Sequence, residues 1–249
     1  MECNQKTAFF FDLDNTLFDY EASFKKASLF AFRSIVGNKE VDPDLAEKWF
    51  TYYKGYCDLF WPAYEKEIMS RKEYQRTRLL SSMTALGLEH YSDKQVKQYQ
   101  ELFEEKIHTF VEPFEWVNNL IQRLNQIGII TGIITNGESD LQRKKIKKLG
   151  LQIPEKEIYI SSEINITKPS PEIFHFVRKQ TKAKNLYYVG DAYEFDIKPA
   201  VVAGWTAIWW NPLKKPQQTV HPCVYNCSVG NELYQVIKKC TESAGYSLP

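Results

Sequence analysis

The order of apolar and polar residues divides the chain into three stretches. Residues 7–13, TAFFFDL, are almost entirely apolar, and such a continuous run predicts a buried strand. From about residue 21 to residue 110 no convincing strand pattern appears, and apolar side chains recur every three or four positions, as in Val96, Tyr99 and Phe103. This spacing is typical of amphipathic helices. The first two stretches therefore predict one strand followed by a long series of helices.

Two helix starts can be located inside the second stretch. Ser70 with Glu73, and Ser92 with Gln95, fit the capping box, in which a serine and an acidic or amide side chain three positions later bind each other's backbone N–H groups. We expect a helix to begin directly after each serine.

From residue 113 onward, strand-like and helix-like segments alternate. The segments that predict strands are IITGIIT, EIYISS, NLYYVGD, TAIWWN and CVYNCS. In the helical segment SDLQRKKIKKLG we expect Ser139 to cap the helix and Gly150 to end it. This alternation predicts a parallel sheet covered by helices on both faces. Because the preceding helical stretch is too long for a loop, we predict an α/β core domain of residues 1–17 and 113–249, with a helical domain inserted at 18–112.

Composition narrows the expected partners and location. The net charge of +1 gives no overall attraction to nucleic acid or to a membrane surface. The five cysteines are odd in number and scattered, which favours a reducing compartment over a disulfide framework, and no segment has the length of a membrane span. We expect a soluble cytoplasmic protein, monomer or homodimer, without a nucleic-acid or membrane partner. The basic residues of 143–148, Lys145 among them, are expected to form a solvated helix face.

Polar residues collect at the ends of the predicted strands. Asp12 and Asp14 follow the first strand, and the other candidates follow the later ones: Thr135, Asn136, Lys168, Asp191 and Asp196. In open α/β sheets the carboxyl ends of the strands share one edge, where sites form. Several carboxylates and a lysine at that edge suit a hard cation with oxygen ligands, and Mg²⁺ fits best.

Four segments carry a resemblance to a known family. DLDNT, TNG, KPSPEIF and GDAYEFD are similar, in order and separation, to the four signature motifs of the haloacid dehalogenase superfamily of phosphohydrolases. The helical stretch lies where that family's C1-type cap is inserted. The resemblance implies a Rossmann-like, doubly wound parallel sheet with an all-helical cap domain. It also implies Mg²⁺-dependent hydrolysis of a small phosphate monoester through an aspartyl-phosphate intermediate.

The same resemblance implies a role for each motif residue. Asp12 would be the nucleophile, and Asp14 the general acid and then the base that activates water. The phosphate oxygens would be bound by Thr135, Asn136 and Lys168. Mg²⁺ would be held by Asp12, by the backbone carbonyl of Asp14 and by Asp191, with Asp196 supporting the site from outside the ligand set.

A narrower resemblance concerns the substrate. TNGESDLQRKKIKKLGL and GDAYEFDIKPAVVAGWTAIWWN look most like the branch that contains pyrimidine 5′-nucleotidases and N-acylneuraminate-9-phosphatases. The substrate would then be a nucleoside 5′-monophosphate or a sugar phosphate. The cap segment LFWPAYEKEIMSRKEYQRTRL is also similar, which makes Trp61, Tyr64 and Arg78 candidate substrate contacts. For Arg78, a contact between domains or a surface ion pair is an alternative. The IKPA that follows Asp196 departs from the family pattern, in which a helix usually continues.

Three other functions remain open from sequence. A phosphomutase carries the same four motifs and differs in returning the phosphoryl group to a sugar. A dehalogenase needs the attacking aspartate and no metal, so Asp14 and Asp191 argue against it. A non-catalytic binding protein would be favoured by the loss of a catalytic residue, and none of the motif residues is missing.

Overall fold

The structure is a computed structural model that describes residues 6–36, 42–88, 91–181, 183–216 and 221–248. The chain divides into two compact units. We call the first, Met1–Tyr20 with Val111–Pro249, the core unit, and the second, Glu21–Phe110, the helical unit. That the helical unit acts as a cap stays a prediction.

Six strands of the described residues form one sheet in the core unit. Every neighbouring pair is parallel, and the strand order is β3-β2-β1-β4-β5-β6. This order places the topological switch point beside β1, where the chain runs to β2 on one side and to β4 on the other. The predicted doubly wound parallel sheet is confirmed. The strands are β1 (Thr7–Phe11), β2 (Ile130–Thr135), β3 (Ile158–Ile160), β4 (Asn185–Gly190), β5 (Thr206–Trp210) and β6 (Val224–Cys227).

The helical unit contains helices and no strand among its described residues. Its centre is a stack of aromatic rings in which Trp49 lies 4.2 Å from Phe32 and 4.8 Å from Tyr53, measured between ring centroids. Both predicted capping boxes are confirmed, at Ser70 and Ser92. The helices are α1 (Tyr20–Val36, whose first residue belongs to the core unit), α2 (Pro43–Glu65), α3 (Arg71–Ala85) and α4 (Asp93–Lys106), followed by a 3₁₀ turn at Ile107–Phe110.

The core unit adds six described helices around the sheet. They are α5 (Val117–Gln126), α6 (Ser139–Leu149), α7 (Ser161–Ile164), α8 (Glu172–Thr181), α9 (Lys198–Val202) and α10 (Gly230–Ser243). A π-helical turn, Tyr193–Ile197, precedes α9, and Pro199 lies in the first turn of α9, where a missing N–H removes no helical bond. The IKPA segment is thus a change of helix type followed by a new helix start. None of the described helices is both long and apolar enough to cross a membrane.

Helices on both faces of the sheet explain the run of phenylalanines. Successive strand residues point to opposite faces. Accordingly, Phe9 and Phe11 join one hydrophobic cluster with Ile121 of α5, and Phe10 joins a second cluster with Phe174 of α8. All three phenylalanines of β1 are fully buried. The strand is therefore apolar except for its first residue, Thr7, which is also buried, and the candidate site residues begin where the strand ends.

Two predicted helix limits in α6 had different outcomes. Gly150 ends the helix with a φ of 65°, which confirms the prediction at that end. The prediction that Ser139 caps the helix is wrong, because Ser139 is already the first helical residue and Glu138 precedes it without a side-chain cap. The Ser139 hydroxyl instead donates to Glu163.

Candidate active site

Three carboxylates meet at the carboxyl edge of the sheet. Asp12 follows β1, Asp191 follows β4, and Asp196 lies in the π-helical turn. One oxygen of each lies within 4.8 Å of the others, close enough for all three to contact one cation. Carboxylate oxygens are the ligands that Mg²⁺ prefers. The chemistry of the donors therefore fits the predicted metal.

Lys168 lies inside this carboxylate cluster. Its Nζ is 2.6 Å from Asp12 Oδ1, 2.6 Å from Asp196 Oδ1 and 2.9 Å from the Tyr188 hydroxyl. An ammonium group has three protons, so these three acceptors use all of its donors. The Tyr188 hydroxyl in turn donates to the backbone carbonyl of Ile134. Lys168 is 4% exposed, so its side chain is shielded from solvent.

With all three carboxyl groups ionised, the charges of this cluster do not balance. Three carboxylates and one ammonium leave two negative charges, which is the charge that one divalent ion neutralises. Burial raises the pKa of Asp12 well above its usual value, although Lys168 opposes the shift. Burial and the nearby Asp196 raise the pKa of Asp191 to about 7. Burial alone lowers the pKa of Lys168, but Asp12 and Asp196 raise it well above its usual value. The lysine therefore stays charged, and Asp12 and Asp191 hold a proton more readily than aspartates in water do.

The backbone at Gly190 lies very close to the side chain of Asp196. Asp196 Oδ2 accepts the N–H of Ala192 at 3.0 Å, while its Oδ1 binds Lys168. A Cβ atom at Gly190 would lie 2.5 Å from the Cβ of Asp196. Only glycine leaves room for this side chain at the end of β4. Both oxygens of Asp196 already have protein partners, which agrees with a supporting role outside the ligand set.

Asp14 makes a second group of contacts. Asp12 and Asp14 flank buried Leu13, where the chain bends after the end of β1. The carboxylate of Asp14 pairs with Lys145, whose Nζ lies 2.8 Å from Oδ1 and 3.0 Å from Oδ2. Gln142 Nε2 lies 3.2 Å from Asp14 Oδ2. Both partners come from α6.

Thr135 and Asn136 follow β2 and use their side chains differently. The Thr135 hydroxyl accepts a hydrogen bond from Gln142 Nε2 at 2.7 Å. Since the same nitrogen contacts Asp14, Gln142 links Thr135 to Asp14. The Asn136 side chain forms two hydrogen bonds with the backbone of Lys168, at 2.8 and 2.9 Å. Its amide is thus committed to the loop that carries Lys168, and any phosphate contact of Asn136 is left to its backbone.

The three candidate cap residues lie in the helical unit. Trp61 is 45% exposed, and its ring centroid is 5.4 Å from that of Tyr64. Arg78 is 8% exposed, with its guanidinium carbon 4.6 Å from the ring centroid of Tyr74 and 5.2 Å from that of Tyr53. The alternative of a surface ion pair at Arg78 is therefore wrong, because aromatic rings enclose the group. Substrate contact by these three residues stays a prediction.

Sequence reasoning missed Gln142 and Lys145. The expected solvated face of α6 is wrong at Lys145, which is 2% exposed because its ammonium turns inward to Asp14. A signal was present in the spacing, since Gln142, Lys145, Ile146 and Leu149 stand at the intervals that share one helix face. Two of these four are apolar and buried, which marks the face as the inner one.

Comparison with known proteins gives the family. The family model for haloacid dehalogenase-like hydrolases matches residues 6–204. The HAD-hydrolase YfnB of Bacillus subtilis is 28% identical over 230 residues, covering 91% of this chain and 93% of YfnB. The pyrimidine 5′-nucleotidase YjjG of Escherichia coli is 25% identical over 233 residues, covering 92% of this chain and 97% of YjjG.

A solved structure shares the fold. The crystal structure of YfnB from Bacillus subtilis bound to magnesium superposes with a TM-score of 0.71 at 24% identity, covering 94% of this chain and 99% of that one. The resemblance to the superfamily and to its nucleotidase branch is confirmed. The chain therefore belongs to the haloacid dehalogenase-like hydrolases.

Proposed function

We propose that this protein is a Mg²⁺-dependent phosphatase of small phosphate monoesters that works through an aspartyl-phosphate on Asp12. The observation that carries the proposal is the cluster of Asp12, Asp191 and Asp196 around Lys168, which has a net charge of −2 when all three carboxyl groups are ionised. Similarity to a nucleotidase and to a magnesium-bound hydrolase supports it.

The metal would be held by the carboxylates of Asp12 and Asp191 and by the backbone carbonyl of Asp14. When bound, it stabilises negative charge on the transferring phosphoryl group. Lys168 contributes a fixed positive charge at the same place, already oriented by Asp12 and Asp196. Positive charge held in a buried site acts more strongly than in water and needs no reorganisation during the reaction.

The first chemical step transfers the phosphoryl group to the protein. A carboxylate oxygen of Asp12 forms a bond to phosphorus, and the bond from phosphorus to the leaving oxygen breaks. Asp14 gives its proton to that oxygen, so the alcohol leaves neutral. The Thr135 hydroxyl accepts from Gln142 and donates to the carbonyl of Asn136 at 3.4 Å, and it would turn this proton to a phosphate oxygen of the bound substrate. Covalent capture divides one difficult hydrolysis into two easier steps.

The second step returns Asp12 to its starting state. A water molecule attacks the phosphorus of the aspartyl-phosphate, and Asp14, now a carboxylate, takes a proton from that water. The bond between phosphorus and Asp12 breaks, and inorganic phosphate leaves. Asp14 is protonated again for the next cycle, so one side chain serves both proton transfers.

The substrate is a nucleoside 5′-monophosphate or a sugar phosphate. The name of YjjG favours pyrimidine nucleotides. Trp61, Tyr64 and Arg78 are the residues of the helical unit that we expect to contact the group beyond the phosphate. Exposed aromatic rings such as Trp61 can stack on a base or a sugar.

The test is phosphate release from a panel of monoesters, measured with Mg²⁺ and with EDTA. The panel contains pyrimidine and purine nucleoside monophosphates, sugar phosphates and a sialic acid 9-phosphate. We expect release that needs Mg²⁺ and is abolished in Asp12→Asn, whereas Asp140→Asn, an exposed acid of α6, keeps wild-type activity. Product analysis separates hydrolysis from a mutase, which would yield an isomeric sugar phosphate. Release that survives in Asp12→Asn, or a wild type that neither releases phosphate nor binds beryllium fluoride, would contradict the proposal.

A further inference from the structure

A buried lysine in a basic helix needs a reason. Lys145 is 2% exposed, whereas its neighbours Lys144, Lys147 and Lys148 are exposed. Burying an ammonium group costs free energy unless a charged partner and hydrogen bonds compensate it. The partner here is Asp14, and the ring of Tyr20, whose centroid lies 4.8 Å from Nζ, covers the same group. Lys145 is thus held against one carboxylate.

Gln142 holds the same carboxylate from one helical turn away. Its Nε2 has three acceptors, Asp14 Oδ2, Thr135 Oγ1 and the carbonyl of Asn136, at 3.2, 2.7 and 3.0 Å. An amide nitrogen has two protons, so these acceptors share them. The backbone makes room for this side chain, because a Cβ at Gly137 would lie 3.0 Å from Cδ of Gln142, and Gly137 has a φ of 139°.

The contacts leave one position of Asp14 open. Among the described residues, Oδ2 accepts from both Lys145 and Gln142, and Oδ1 accepts from Lys145 alone. Each carboxylate oxygen can accept two hydrogen bonds. The side chain of Asp14 is 27% exposed while that of Lys145 is 3% exposed, so the lysine anchors the carboxylate from within. Oδ1 therefore has the remaining lone pair.

We propose that Lys145 and Gln142 are positioning residues that orient Asp14 so that Oδ1 delivers and takes back the proton. This inference rests on the proposed phosphatase function. Neither residue contacts the phosphate in this role, since both act through Asp14. Gln142 also holds the Thr135 hydroxyl in place. One face of α6 thereby orients both the proton transfer by Asp14 and the Thr135 hydroxyl, which would donate a hydrogen bond to the phosphate.

The dependence of kcat/KM on the leaving group distinguishes a positioning role from a purely structural one, which would affect all esters alike. An alkyl alcohol is a poor leaving group and needs the proton of Asp14, whereas p-nitrophenolate leaves without one. The quotient kcat/KM covers the steps up to the first irreversible one, which is the capture of the phosphoryl group by Asp12. A misdirected Asp14 therefore lowers kcat/KM for alkyl monoesters and leaves it nearly unchanged for p-nitrophenyl phosphate.

The experiment compares p-nitrophenyl phosphate with the alkyl monoester of the panel above that the wild type hydrolyses best, in Lys145→Met and with Mg²⁺ present. We expect kcat/KM for the alkyl ester to fall about 10- to 100-fold, most of it in kcat, since general acid catalysis is worth about 10²- to 10⁴-fold. For the aryl ester, kcat/KM should fall less than about threefold, which is smaller than the usual contribution of general acid catalysis. Lys145→Arg should restore part of the alkyl activity. Lys144→Met, an exposed neighbour, is the matched control and should behave as wild type.

Each outcome decides between the two proposals. If the wild type is active and kcat/KM in Lys145→Met falls equally for both esters, or for neither, the positioning role alone is overturned. A wild type inactive on p-nitrophenyl phosphate and on every alkyl monoester of the panel would overturn the phosphatase and the positioning role with it. If Lys145→Met does not fold, Gln142→Ala replaces it, because it leaves the ion pair of Lys145 and Asp14 in place. Loss of the contact between Gln142 and Thr135 lowers kcat/KM for both esters alike. We therefore expect kcat/KM in Gln142→Ala to fall more for the alkyl ester than for the aryl ester, by a smaller factor than in Lys145→Met, and an equal fall for both esters would again overturn the role.

Discussion

Gly190, the last residue of β4, packs directly against the side chain of Asp196. A Cβ added there would lie 2.5 Å from the Cβ and 2.6 Å from the Cγ of that aspartate. The aspartate could move only by giving up its contacts with Lys168 and with the N–H of Ala192. We therefore expect Gly190→Ala to lower the free energy of unfolding of the core unit by about 1–3 kcal/mol, the usual cost of overpacking. Urea denaturation measures this change.

Gly55→Ala is the control for that substitution. Gly55 lies exposed within α2, and an added Cβ would meet nothing within 4 Å. Alanine in a helix interior is favoured over glycine by about 0.5–1 kcal/mol, so this variant should be slightly more stable than wild type. Equal effects of the two substitutions would mean that the close approach at Gly190 is not tightly packed.

Single residues also show where sequence-based prediction of the site reached its limit. Asp12 and Asp191 could be found because they directly follow strands, and parallel strands end at one edge of a sheet. Lys168 could be found because it lies in the connection that leaves β3 at the same edge. Tyr188 could not, because it lies inside β4, where an aromatic residue is ordinary core. Its hydroxyl accepts from Lys168 only because Lys168 is brought there by a loop 20 residues earlier in the chain.

At the scale of elements, the start of α3 is closed by two reciprocal hydrogen bonds. Ser70 Oγ accepts the N–H of Glu73 at 3.2 Å, and Glu73 Oε2 accepts the N–H of Ser70 at 2.8 Å. Ser70→Ala removes the first bond and weakens the second. We expect the helical unit to lose about 1 kcal/mol, as is typical for an N-cap serine. Thr84→Ala, an exposed position near the end of the same helix, should change stability little, and a loss as large as that of Ser70→Ala would contradict the capping role.

Local contacts explain which elements the sequence predicted. The capping boxes at Ser70 and Ser92 could be read because both partners lie within four residues. The prediction for Ser139 is wrong because its partner, Glu163, lies 24 residues away in α7. Lys145 was misjudged for a similar reason, since a run of basic residues suggests solvent and the acceptor in Asp14 is 131 residues distant. Pairings of this kind depend on the assembled sheet and are not encoded in any short window.

At the scale of the whole molecule, charge links metal binding, stability and pH. Without a cation, burial and Asp196 raise the pKa of Asp191 from 3.8 to about 7, and burial raises that of Asp12 as well. Between pH 3.8 and about pH 7, the two pKa values of Asp191, the folded protein binds more protons than the unfolded chain. The metal-free protein therefore loses stability as the pH rises through this window. Mg²⁺ needs the charged carboxylates, so its binding strengthens over the same range.

We accordingly expect Mg²⁺ to raise the unfolding midpoint of the core unit more at pH 8 than at pH 6. A ligand at 100 times its Kd stabilises the folded state by about 2.7 kcal/mol, and proton competition at pH 6 should remove part of that gain. Scanning calorimetry with Mg²⁺, with EDTA and with NaCl of equal ionic strength separates metal binding from screening. In Asp191→Asn the Mg²⁺ effect should largely vanish, because a ligand is lost. A shift that is equal at both pH values, or unchanged in Asp191→Asn, would place the cation away from this cluster.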